Sequence, residues 1–85
     1  MEEKEIGVIT HYFGKVGVGM VELIDTIKIG DTIRIKGHAY DFTQQIGSMQ
    51  IDYKNVEEAT AGQSVGIKID QKVHQNDKVY RVTES

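Results

Sequence analysis

The chain has 85 residues, 10 of them basic and 13 acidic, with no cysteine, proline or tryptophan, which describes one small, mildly acidic domain over residues 1–85. A disulfide framework and every thiolate metal site are excluded, and no apolar run approaches the roughly 18 residues of a membrane span. The net charge of −3 argues against general attraction to phosphate backbones, which needs a surplus of lysine and arginine gathered on one face.

The opening run Met1-Glu2-Glu3-Lys4-Glu5 reverses the basic-then-apolar order of a secretory signal, so the expected compartment is the cytoplasm. Isoleucine, valine and threonine supply 26 residues, against one leucine and three alanines. β-branched side chains at this density favour pleated strands, and the expected class is all-β. A first strand runs from Glu5 to Phe13, opened by Ile6 and Val8 and broken by Gly14. A second runs from Val16 to Leu23 and carries Gly17 and Gly19 on one face, where missing side chains let another backbone approach.

Ile27 and Ile29 lead into the turn signal Gly30-Asp31. A third strand then alternates cleanly, with Ile33 and Ile35 on one side and Thr32, Arg34 and Lys36 on the other. A fourth covers Phe42 to Tyr53. Its apolar parity changes from Phe42 and Ile46 to Met49, Ile51 and Tyr53, which predicts a β-bulge at Gly47-Ser48. The stretch from Val56 to Gly62 is too short for a stable helix and is expected to be a connector. Val65, Ile67 and Ile69 mark a fifth strand, and Val79 to Val82 a sixth. Six such strands predict a small closed or nearly closed Greek-key-like barrel, since closure removes exposed edges.

Val21-Glu22-Leu23 followed by Thr26-Ile27-Lys28-Ile29-Gly30-Asp31-Thr32-Ile33-Arg34-Ile35 resembles the first half of the second-domain barrel of translational GTPases such as elongation factor Tu. Ile46-Gly47-Ser48-Met49-Gln50-Ile51 and the run from Val56 to Ile67 are similar to the closing half of that domain. The resemblance implies a six-stranded barrel of translation-factor domain 2 type, one that helps hold the acceptor end of transfer RNA and docks on a nucleotide-binding domain. Thr10-His11-Tyr12-Phe13 also looks like the start of the barrel appended to the carboxyl end of some collagenase-like peptidase-family proteins, several of which act in RNA modification.

No catalytic, cofactor or metal site is expected from the sequence. Gly14-Lys15-Val16-Gly17-Val18-Gly19 lacks the spacing of a phosphate-binding loop, so no nucleotide hydrolysis is expected, and it lacks the third glycine of a dinucleotide fingerprint. His11, His38 and His74 show no ligand spacing. Ser48 and Ser64 lie at no nucleophile elbow, and Glu57 and Glu58 read as a solvated edge.

Two surfaces remain as binding candidates. His11, Tyr12, Phe13 and Lys15 group aromatic and basic side chains at the end of the first strand, although one of Tyr12 and Phe13 must face inward. Arg34, Lys36 and Lys68 form the second, outward and basic. The expected function is a non-catalytic adaptor that contacts RNA of transfer-RNA type or a ribonucleoprotein. The alternative is a protein-docking module that completes a separate GTPase or peptidase-like enzyme subunit. No cofactor and no membrane partner are expected.

Overall fold

The computed structural model describes residues 2–83, so Met1, Glu84 and Ser85, the ends of the expected 1–85 domain, lie outside the described residues. The architecture is all-β. Its strands are β1 (Glu2–Phe13), β2 (Val18–Leu23), β3 (Ile27–Lys28), β4 (Thr32–Lys36), β5 (Asp41–Gln45), β6 (Met49–Ile51), β7 (Lys54–Val56), β8 (Glu58–Ala59), β9 (Ser64–Lys68) and β10 (Lys78–Thr83). Eight of them form one antiparallel sheet in the order β5-β4-β10-β1-β2-β9-β6-β7, and β3 pairs with β8 in a separate ribbon. No helix long and apolar enough to cross a membrane is found among the described residues.

The sheet cannot be flat. β5 and β6 stand six places apart in the strand order, about 29 Å in a flat sheet, yet only residues 46–48 connect them, a reach of about 14 Å. The sheet therefore curls until its ends nearly meet. No ladder joins β5 to β6 or β7, so closure is incomplete. Gln44 bridges this seam: its Nε2 donates to the Lys68 carbonyl at 2.8 Å, and its Oε1 accepts from the Asp70 amide at 2.8 Å. This buried side-chain amide does the work that a neighbouring peptide group does in a ladder.

The expected bulge at Gly47-Ser48 is this crossing, where the chain leaves one end of the sheet for the other. The fourth predicted strand is accordingly two strands, β5 and β6, with the turn that follows them, and the six expected strands become ten segments among the described residues. Bulges occur instead in β1, between Glu5 and Gly7 and between Ile9 and His11. They change the inward spacing from two residues to three, so Ile6 and Ile9 are buried and Tyr12 packs against the core, while Val8 is only half-buried. Val16 and Gly17 belong to the β1–β2 turn, with Gly17 at φ 67°. At Gly19 the close neighbour is a side chain and not a backbone, since a Cβ there would lie 3.1 Å from Ile69 Cγ1.

The interior is aliphatic. Ile33 and Ile35 from β4, Val65 and Ile67 from β9, Val21 and Leu23 from β2, and Val79 from β10 are all buried. Val73, from the loop between β9 and β10, joins them. That loop is tied to the second bulge of β1, because Asn76 N–H donates to the Ile9 carbonyl at 2.7 Å and Ile9 N–H to the Asp77 carbonyl at 2.8 Å. Gly30 turns at φ 92°, and the Asp31 carboxylate accepts from the Lys28 amide at 3.0 Å, which fixes the entry of β4. At the other end of the order of pairing, Glu2 faces Thr83 across the β1–β10 ladder.

Candidate functional site

The rim at the end of β1 is built by strand alternation. Tyr12 turns inward, while His11 and Phe13 face outward with ring centroids 4.4 Å apart in an edge-on arrangement. Phe13 is 47% and Val16 57% exposed, a large share for apolar side chains in so small a domain. The turn itself is closed by the amides of Val16 and Gly17, both donating to the Phe13 carbonyl. Lys15 is exposed in this turn. The registers Phe13↔Val18 and Val18↔Lys68 bring Lys68 beside them, and its Nζ donates to the Val16 carbonyl at 2.6 Å. The rim thus offers two apolar side chains, one imidazole and two ammonium groups on one edge.

The second expected surface does not exist as drawn. Lys68 belongs to the rim, where its Nζ is held by the Val16 carbonyl. Arg34 is consumed within the chain: Nε and Nη2 donate to the two Asp41 carboxylate oxygens at 2.6 and 2.7 Å, and Nη1 to Glu3 at 2.6 Å. The carboxylates of Asp41 and Glu3 hold its guanidinium in the charged form, and Arg34 in turn lowers the Asp41 pKa below the usual carboxylate value. Lys36 lies 3.7 Å from Glu3 and 4.8 Å above the Tyr80 ring. Two cations and two carboxylates cancel, which leaves no surplus positive charge for a phosphate.

A further ionic group sits where β2 leads into β3. Asp25 accepts from Lys4 at 2.8 Å and from Arg81 at 3.1 Å. The Lys4 hydrogen bond, then the Thr26 amide, bring its pKa down to about 2. These groups tie the first and last long strands to the β2–β3 corner.

Sequence reading missed the cluster of Tyr40, His74 and Asp77, whose members lie 34 and 37 positions apart. The Tyr40 hydroxyl donates to Asp77, and His74 Nδ1 stands 2.9 Å from the same oxygen. Since the phenol has only one proton to give, Nδ1–H is the donor to it. The His74 amide also donates to Asp77 at 2.8 Å, and the two rings stack with centroids 5.8 Å apart. Asp77 is 92% covered, being 8% exposed. These bonds fasten the β4–β5 turn to the β9–β10 loop. Among the described residues, no three histidine or carboxylate side chains group to hold a metal, and no buried side-chain polar atom lacks a partner.

Burial first, then the Asp77 hydrogen bond, raise the Tyr40 pKa from 10.0 to about 12. The fold therefore favours the neutral phenol, and the resulting stabilisation is complete below pH 10 and disappears as pH rises through 12. In chemical denaturation, the stability difference between the wild type and Tyr40→Phe is expected to stay constant up to pH 10 and to shrink between pH 10 and 12. A difference that is flat across that range refutes the assignment.

No family model matches the sequence. The chain is 40% identical over 82 residues, 95% of its length, to an uncharacterised protease of Methanocaldococcus jannaschii. It is 35% identical over 72 residues, 82% of its length, to a collagenase of Porphyromonas gingivalis. It spans only 20% of the length of each of these relatives. Among solved structures, the C-terminal domain of a Geobacillus thermoleovorans protein described as a U32 peptidase superposes with a TM-score of 0.88, covering 94% of this chain and 93% of that one at 18% identity. The fold is shared with that C-terminal domain. The selenomethionine form of the same domain agrees, with a TM-score of 0.85.

These findings correct the expected kinship with translational GTPases, because the relatives are a protease and a collagenase and the fold neighbour is part of a peptidase. The translation-factor and RNA-binding readings fall with it, in keeping with the internal neutralisation of Arg34 and Lys36. The likeness carried by Thr10-His11-Tyr12-Phe13 is the one the relatives support.

Proposed function

We propose that this chain is a non-catalytic protein-docking module that works with a peptidase-like partner and meets it through the rim of His11, Phe13, Lys15, Val16 and Lys68. The observation that carries the reading is the correspondence of almost the whole chain with a domain found at the C-terminal end of a U32 peptidase. The chain corresponds to a fifth of the curated relatives' length, so the remaining length of those proteins is the model for what it docks on. Exposed Phe13 and Val16 supply apolar contact area, and the flanking cations suit an acidic border on the partner.

Affinity purification of the tagged full chain from the cells it comes from tests this. The expected result is one stoichiometric protein related in sequence to the part of the protease and collagenase relatives that this chain does not span. Phe13→Ala is expected to lower its recovery about tenfold without changing the melting temperature, since a buried aromatic anchor at an interface is worth about 1.4 kcal/mol or more. Recovery of no such protein overturns the reading.

A further inference from the structure

We propose that Tyr53 is a second anchor, a side chain that the β6–β7 hairpin holds out for insertion into an apolar-walled pocket on the same peptidase-like partner. The inference rests on the docking reading and names a contact that the rim does not supply.

Ile51 pairs with Lys54, so Asp52 and Tyr53 alone make the connection, with φ values of 52° and 66°. Two successive positive φ angles define a type I′ hairpin, which strongly prefers Asn-Gly or Asp-Gly. Asp52 suits the first position. Tyr53 occupies the glycine position, where a side chain crowds the backbone. Nothing among the described residues offsets this, because Tyr53 is 97% exposed. A local rule broken without internal compensation points outward, to something the isolated domain does not contain.

The mounting of the side chain supports the same conclusion. Met49 at the base of the hairpin is buried and Val56 packs against the core. Gln50 Nε2 donates to Asn55 Oδ1 at 3.1 Å across the two strands. β6 is laddered to β9, whereas β7 ends the sheet. The tip is thus a braced projection and not a free loop, and tyrosine is a residue that binds well from such a mount, being large, amphipathic and limited to two side-chain torsions. The register places Tyr53 beyond the Ser64 end of β9, while the rim lies at its Lys68 end. A partner that engages both grips the sheet along the full length of β9.

Tyr53→Gly separates an anchor from a structural residue. Because glycine relieves the turn, the variant is expected to melt about 3–6 °C higher than the wild type. In the purification described above, its recovery of the peptidase-like protein is expected to fall about tenfold. If Tyr53→Gly recovers that protein as fully as the wild type, the anchor is overturned while the docking reading stands. If it melts lower than the wild type, the side chain serves the chain's own fold, and the anchor is overturned on that ground. A wild type that recovers no peptidase-like protein brings down the docking reading, and the anchor with it.

Discussion

Gln44→Ala is expected to lower the melting temperature by about 10 °C in a thermal unfolding experiment. The substitution strips partners from the Lys68 carbonyl and the Asp70 amide at a place where the ladder has no other closure. An orphaned buried polar group costs about 1–3 kcal/mol, and each kcal/mol shifts a domain of this size by about 4–8 °C. Gln44→Glu sharpens the test. Its carboxylate still accepts from Asp70 N–H but faces the Lys68 carbonyl with a second oxygen, so the fold favours the protonated acid. Stability of this variant is then highest below the unfolded pKa of glutamate, about 4.3, and declines as pH rises through the raised folded value. A Gln44→Ala protein that melts within about 4 °C of the wild type, the smallest shift such a loss allows, shows that the seam holds without this side chain.

Gly37→Ala is expected to cost about 2 kcal/mol, through one collision. A Cβ on Gly37 would lie 2.5 Å from Tyr40 Cζ and 2.9 Å from its Cδ1, and the ring cannot swing away without releasing Asp77 and His74. The close approach comes from a tight turn in which Gly37 N–H donates to the Tyr40 carbonyl at 2.9 Å. Overpacking of this kind costs about 1–3 kcal/mol. The cause is checked by a double-mutant cycle. In a Tyr40→Ala background the same glycine substitution should cost less than about 0.5 kcal/mol, because the obstructing ring is gone. Equal costs in both backgrounds would mean that Gly37 is needed for its backbone and not for the space.

Strand identity was legible wherever one face is wet and the other dry. Ile33 and Ile35 alternate with Thr32, Arg34 and Lys36 because β4 has a solvent side. The turn at Gly30-Asp31 was legible for a chemical reason, a glycine followed by a carboxylate that bonds the chain behind it. The parity change around Gly47 was visible too, but a bulge and a strand crossing shift parity alike, and only the meeting of distant strands separates them. The bulges of β1 left no such mark, since Ile6, Val8 and Ile9 are all apolar.

The candidate binding residues show the same division. That one of Tyr12 and Phe13 must point inward follows from the pleat, and the outward Phe13 with His11 and Lys15 was readable from adjacent positions. The company Lys68 keeps depends on β9 lying beside β2, a pairing that no local pattern encodes. Arg34 looked free because Glu3 is 31 positions away. Asp41, seven positions away, was closer to hand: in a hairpin of β4 with β5, opposite charges near facing positions are natural partners. Tyr53 looked apolar and inward by parity, and the turn that turns it outward is marked only by Asp52.

The pairing of Glu2 with Thr83 has a mechanical consequence. Residues facing each other across an antiparallel ladder have Cα atoms about 5 Å apart, so the polypeptide enters and leaves through one small gate. A loop on another protein could be cut at a single peptide and this unit spliced in, with little change to the host's own path. The splice point would sit at the far end of β1 from Phe13, leaving the His11–Phe13 rim facing away from its attachment.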